Sequence, residues 1–223
     1  MINSQVPPLR THGLRAPAFV GRALASIGGR RRARQQRAWG RLHAALTAVF
    51  GCVVIADPAM AQPSLTPSAV FVQAGAARQT REVTAGLVWD WTRQWNLGSG
   101  QVTGYWEASL SLWSYPGADE RRTAWLGQAS LIPVFRFRPT AGTSPWFFEG
   151  GVGVTLMTTI YETDRKQFST SFNFADHLGF GRNFGSRREH EIALRLEHFS
   201  NGGIRHPNPG ESFAQIRYLF RFD

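Results

Sequence analysis

Ser212-Phe213-Ala214-Gln215-Ile216-Arg217-Tyr218-Leu219-Phe220-Arg221-Phe222 lies near the C-terminus and alternates with period two. Ala214, Ile216, Tyr218, Phe220 and Phe222 fall on one face; Gln215, Arg217 and Arg221 fall on the other. Successive strand side chains point to opposite sides of a sheet, so this pattern predicts a β-strand with one apolar and one polar face.

The same reading extends backwards. Residues 190–201 set Ile192, Leu194 and Leu196 against Glu191, Arg195 and Glu197. Residues 102–113 set Trp106, Ala108, Leu110 and Leu112 against Glu107, Ser109 and Ser111. Residues 83–92 set Val83, Ala85, Leu87, Trp89 and Trp91 against Thr84 and Asp90. With 69–77, 123–138, 145–157 and 169–184, the chain reads as eight strands. Two architectures fit: a soluble lipid-carrier barrel with the apolar face inside, or a membrane barrel with it turned outward. The polar face carries Glu, Arg, Gln, Ser and Thr of both signs, which lipid contact would penalise. Turned inward, all the Trp and Phe would overfill a narrow eight-stranded barrel. Trp89, Trp91, Trp106, Trp125 and Trp146 near strand ends suit interfacial girdles. The expected fold class is therefore all-β, an eight-stranded antiparallel transmembrane β-barrel over residues 62–223. With the N-terminus periplasmic, the longer connections 114–122, 158–168 and 202–211 face outward, together with the short 78–82.

Residues 1–61 read as an address. Nine Arg against one Asp there supply most of the formal charge of +10. The charge is thus no argument for a nucleic-acid partner. Arg30-Arg31-Arg32-Ala33-Arg34, the apolar run Ala44–Ala56 and Ala59-Met60-Ala61 follow the order of a secretory signal peptide. Cys52, the only cysteine, falls within that run, so a chain cleaved after Ala61 has no thiol chemistry. Six His without clustered spacing give no metal motif. No Gly-rich phosphate loop follows a strand and opens a helix. His177 and Asp176 read as part of a polar network or surface.

Glu197-His198-Phe199-Ser200-Asn201-Gly202-Gly203-Ile204, followed by Pro207-Asn208-Pro209-Gly210-Glu211-Ser212, carries the chemistry. His198 and Ser200, two apart on a strand, share a face. A base beside a hydroxyl can activate it as a nucleophile, and Glu211 is available as a third group to orient the base. His198 and Ser200 also share parity with Leu194 and Leu196. If those leucines touch lipid, the polar pair faces lipid too, at the outer rim. That placement suits a substrate that is itself a lipid of the outer leaflet.

These residues resemble the outer-membrane lipid A 3-O-deacylases, the PagL family. The family order is His-x-Ser-Asn, then Gly-Ile/Leu, Pro-Asn and a Glu-Ser at the start of the last strand. It is matched by His198, Ser200, Asn201, Gly203, Ile204, Pro207, Asn208, Glu211 and Ser212. The resemblance implies Ser200 as nucleophile, His198 as general base and Glu211 as the residue orienting it. It also implies an oxyanion hole from Asn208 and the backbone N–H near Gly203. The implied activity is a serine esterase of the outer membrane of a Gram-negative bacterium, removing the 3-O-linked acyl chain from lipid A without a cofactor. The resemblance leaves room for a homodimer. One departure stands out: Pro209-Gly210-Glu211 is one residue shorter than the family's usual spacing. Arg121, Arg122, Arg165, Lys166 and Arg205 could meet lipid A phosphates or simply keep the loops soluble. The rival reading is a non-enzymatic barrel, an adhesin or a structural protein.

Overall fold

The computed structural model describes residues 66–118 and 122–222. The leader read over 1–61, with Cys52 and Ala59-Met60-Ala61, lies outside the described residues, as does Arg121. Among the described residues nine antiparallel strands form: β1 (Ala69–Ala76), β2 (Arg81–Asp90), β3 (Trp95–Leu97), β4 (Gly100–Pro116), β5 (Thr123–Arg138), β6 (Trp146–Met157), β7 (Phe172–Phe184), β8 (His190–Ser200) and β9 (Glu211–Arg221). Eight of them close a barrel. Each long strand pairs with its neighbours in sequence, β2 pairs with β4, and β1 pairs with β9. Closure leaves no open edge along the wall, as a bilayer requires.

The short β3 was not expected. It pairs with the start of β4, so the connection 93–101, read as a long inward-facing turn, is a small hairpin on the end of the wall. Trp91 packs edge-on against Trp106 and Phe135, with ring centroids 6.1 and 5.0 Å away. Gly104 makes room for it, since a Cβ there would lie 1.9 Å from the indole. The long β4, with 17 residues, extends past the expected span at both ends.

Alternation sorts the two faces as the sequence indicates. Leu194 and Leu196 are 64% and 68% exposed on the outer wall, whereas Glu197 between them and His198 is 6% exposed. Among the described residues, the middle of the lumen is an ion network. Arg195 binds Glu107 at 3.2 Å and Glu149 at 2.7 Å. Arg136 binds Glu149 and Glu191, each at 2.8 Å. Tyr105 donates to Glu149 Oε2 at 2.9 Å and accepts from Arg195 at 3.0 Å, and Arg217 completes the pairing of Glu107. Above this network, towards the longer loops, lies an aromatic layer. Trp113 meets Phe213 at 4.7 Å, Phe199 at 5.0 Å and Tyr161 at 5.6 Å.

Removing one member of a buried ion cluster leaves its partners charged and unpaired. Arg195→Met should therefore lower barrel stability by about 3–5 kcal/mol. Urea titration of the detergent-folded barrel, read by heat-modifiable gel migration, checks this. An unchanged midpoint would show that the network carries no stability.

Candidate active site at the outer rim

β8 brings the site together by alternation. His198 and Ser200 lie on the outer wall and are half-buried. Phe199 between them turns inward, is 2% exposed, and docks on Trp113 and Phe213. The aromatic layer thus clamps the one residue that separates the expected base from the expected nucleophile.

Just past the strand, Asn201 is buried and organises the loop. Its Nδ2 donates to the Arg205 carbonyl at 2.7 Å and to Ser169 Oγ at 2.9 Å. Its Oδ1 accepts from the Gly203 N–H at 2.9 Å. Its own N–H donates to Asn208 Oδ1 at 3.1 Å. The last bond pins the Asn208 carboxamide by its oxygen and turns the Nδ2 donors the other way. The Gly203 N–H, expected in an oxyanion hole, is thus engaged by Asn201. The Gly202 N–H points at Ser200 Oγ, at a long 3.5 Å.

The imidazole is seated on β9. His198 pairs with Ser212 in the register, and Nδ1 lies 2.8 Å from Ser212 Oγ. Gly210 leaves space for the ring, because a Cβ there would lie 2.5 Å from His198 Cε1. Its φ of +63° suits glycine as well. Glu211 turns inward. It accepts from Lys166 Nζ at 2.8 Å and from the Tyr161 hydroxyl at 2.9 Å. Lys166 also donates to the Gly210 carbonyl at 2.9 Å. Lys166, read as a phosphate contact or a solubilising loop residue, ties the 158–171 loop to the start of β9. Tyr161 shares its hydroxyl with Thr80 Oγ1 at 2.6 Å. Burial, with the Glu211 carboxylate beside it, pushes the Tyr161 hydroxyl above its ordinary pKa.

Residues 81–221 match the family model described as lipid A 3-O-deacylase (PagL). The chain belongs to this family. It is 32% identical to the lipid A deacylase PagL of Bordetella bronchiseptica, over 78% of this chain and 95% of that protein. It is 34% identical to the lipid A deacylase PagL of Pseudomonas aeruginosa, over 58% of this chain and 72% of that protein. The crystal structure of the outer membrane enzyme PagL superposes with a TM-score of 0.59 at 29% identity, covering 70% of this chain and all of that one. As a PagL-family barrel with an apolar outer wall, the protein resides in the outer membrane.

Sequence reading missed Tyr161 and Phe168. Both are buried, although they lie in a connection expected to face solvent. Two aromatics five residues or fewer from polar turn residues gave no periodic signal. The isolated Glu162–Gln167 bridge folds that connection back, so both rings enter the barrel mouth.

Two substitutions should separate floor from wall. Phe199→Ala empties part of the aromatic layer and should cost about 3–5 kcal/mol of stability. Gly210→Ala should cost only about 1–2 kcal/mol for its left-handed backbone. Displacing the imidazole should nevertheless slow lipid A deacylation about 10- to 100-fold. Unfolding curves and initial rates of acyl release check both. A Gly210→Ala protein with wild-type rate would show that the seat of His198 is loose.

Proposed function

We propose that this outer-membrane enzyme hydrolyses the ester at the 3-position of lipid A by a serine mechanism on the lipid-facing wall. The carrying observation is that His198 and Ser200 share that wall, at the loop-rich rim, beside Leu194 and Leu196. A polar base–hydroxyl pair turned towards lipid suits a substrate embedded in the same leaflet. His198 removes the proton from Ser200 Oγ, which attacks the ester carbonyl. The tetrahedral oxyanion is met by the Asn208 Nδ2 donors and by the Gly202 N–H, which already points at Ser200 Oγ. Each such donor contributes about 3 kcal/mol in comparable sites. Collapse releases the sugar hydroxyl and leaves an acyl-enzyme. Water, deprotonated by the same imidazole, then frees the 3-hydroxy fatty acid and returns the proton to Ser200. Glu211 is the carboxylate of the site. Its bonds to Lys166 and Tyr161 fix the strand end on which the imidazole rests.

Mass spectrometry of lipid A from cells expressing each variant tests the assignment. Wild type should yield lipid A lighter by one 3-hydroxyacyl chain. Ser200→Ala and His198→Ala should each lose about 10³-fold or more of that activity. Continued removal by Ser200→Ala would end the nucleophile assignment. Unchanged lipid A with wild type would return the non-enzymatic barrel.

A further inference from the structure

The imidazole of His198 rests on a hydroxyl, where a carboxylate was expected. A strand reverses its side at each residue, so Glu211 and Ser212 cannot both share the wall with His198. Ser212 does: it stands opposite His198 in the β8–β9 register, with Oγ 2.8 Å from Nδ1. Glu211 is on the other side of the sheet. Its Oε1 is held by Lys166 and its Oε2 by Tyr161. The parity of β9 accounts for the exchange: Glu211 shares the inner side with Phe213 and Gln215, and Ser212 shares the outer side with Ala214 and Ile216. Three charged groups surround the ring. Asp176 lies opposite His198 on the β7 side of the same wall. Glu211 lies inward, and Lys166 reaches the Gly210 carbonyl from the loop. The ring leans towards β9, with its Cε1–Nε2 edge against Gly210.

We propose that Ser212, rather than Glu211, is the residue that positions His198 for catalysis. The proposal rests on the reading of Ser200 and His198 as nucleophile and base. Nδ1–H donates to Ser212 Oγ, which fixes the tautomer in which Nε2 carries no proton and can take that of Ser200. When His198 becomes an imidazolium, the same bond persists and strengthens, because its donor is now charged. Glu211 becomes a brace that sets the height of β9, and Ser212 becomes the contact through which the brace acts.

The test uses the full-length protein folded in detergent with purified lipopolysaccharide. The readouts are kcat and KM across pH, and the position of a fluorophosphonate adduct mapped by peptide mass spectrometry. Heat-modifiable migration verifies that each variant is folded. Ser212→Ala is expected to lower kcat about 10- to 100-fold with KM within about twofold. It should also move the acidic limb of the profile to lower pH, because the imidazolium loses an acceptor. Ser212→Thr, which keeps the hydroxyl, should recover kcat to within about threefold. Ser212→Asp should recover kcat and move the acidic limb to higher pH, because a carboxylate favours the imidazolium. The adduct should map to Ser200 in every variant that retains that serine. Wild-type kcat and an unshifted limb in Ser212→Ala would overturn the proposal. So would a limb shift confined to Glu211→Gln or Asp176→Asn. An adduct on Ser212 would overturn it in another way, by making that residue the nucleophile. Failure of the underlying esterase reading looks different: no adduct forms on Ser200, and Ser200→Ala stays active whatever stands at position 212.

Discussion

Arg195 spans two carboxylates in the middle of the barrel, with no exposed side-chain surface of its own. Its guanidinium meets Glu107 on one side and Glu149 on the other, while Tyr105 fills the gap. A charge so placed could not tolerate the opposite face of the wall. Shifting the β8 register by one residue would push Arg195 and Glu197 into lipid and bring Leu194 and Leu196 inside. The cost of a charge in hydrocarbon thus fixes which side of β8 is outside. His198 and Ser200 follow from that choice, since they extend the leucine series.

The barrel then divides the labour between its faces. The inward residues near the rim make a rigid aromatic layer, and Phe199 belongs to it. The outward residues at this end of β8 are the half-buried His198 and Ser200, the pair proposed to carry the chemistry. Their precision is borrowed through the backbone from the buried residues between them. Asn201 does the same for the loop, by bonding two backbone groups of the turn and Ser169 of the neighbouring connection with one buried carboxamide. A site at a membrane surface can in this way be well ordered without being enclosed.

Most of this was legible in the sequence because strand geometry converts parity into position. The alternation in 214–222 and 192–197 indicated a wall with a lipid side, and the His-x-Ser spacing then put the pair on that side. The eight long strands lie within a few residues of the expected spans. What alternation cannot give is the fate of loops. Tyr161, Phe168 and Lys166 sit in a connection without periodicity, and only its folded path shows that the two rings enter the mouth and that Tyr161 and Lys166 bind Glu211. The β3 hairpin was hidden for a similar reason: three residues are too few to show a period. The direction of Glu211 was in principle readable. Its parity with Phe213 and Gln215 sets it inward.

Trp113, Tyr161 and Phe213 have a consequence beyond the active site. Together with the salt-bridged belt beneath them they leave the bore occupied from rim to middle. A barrel used only as a platform gains nothing from being hollow, and an open bore would be one more path across the membrane for polar solutes. Blocked by its own side chains, this one can be produced in many copies while the envelope keeps its permeability barrier.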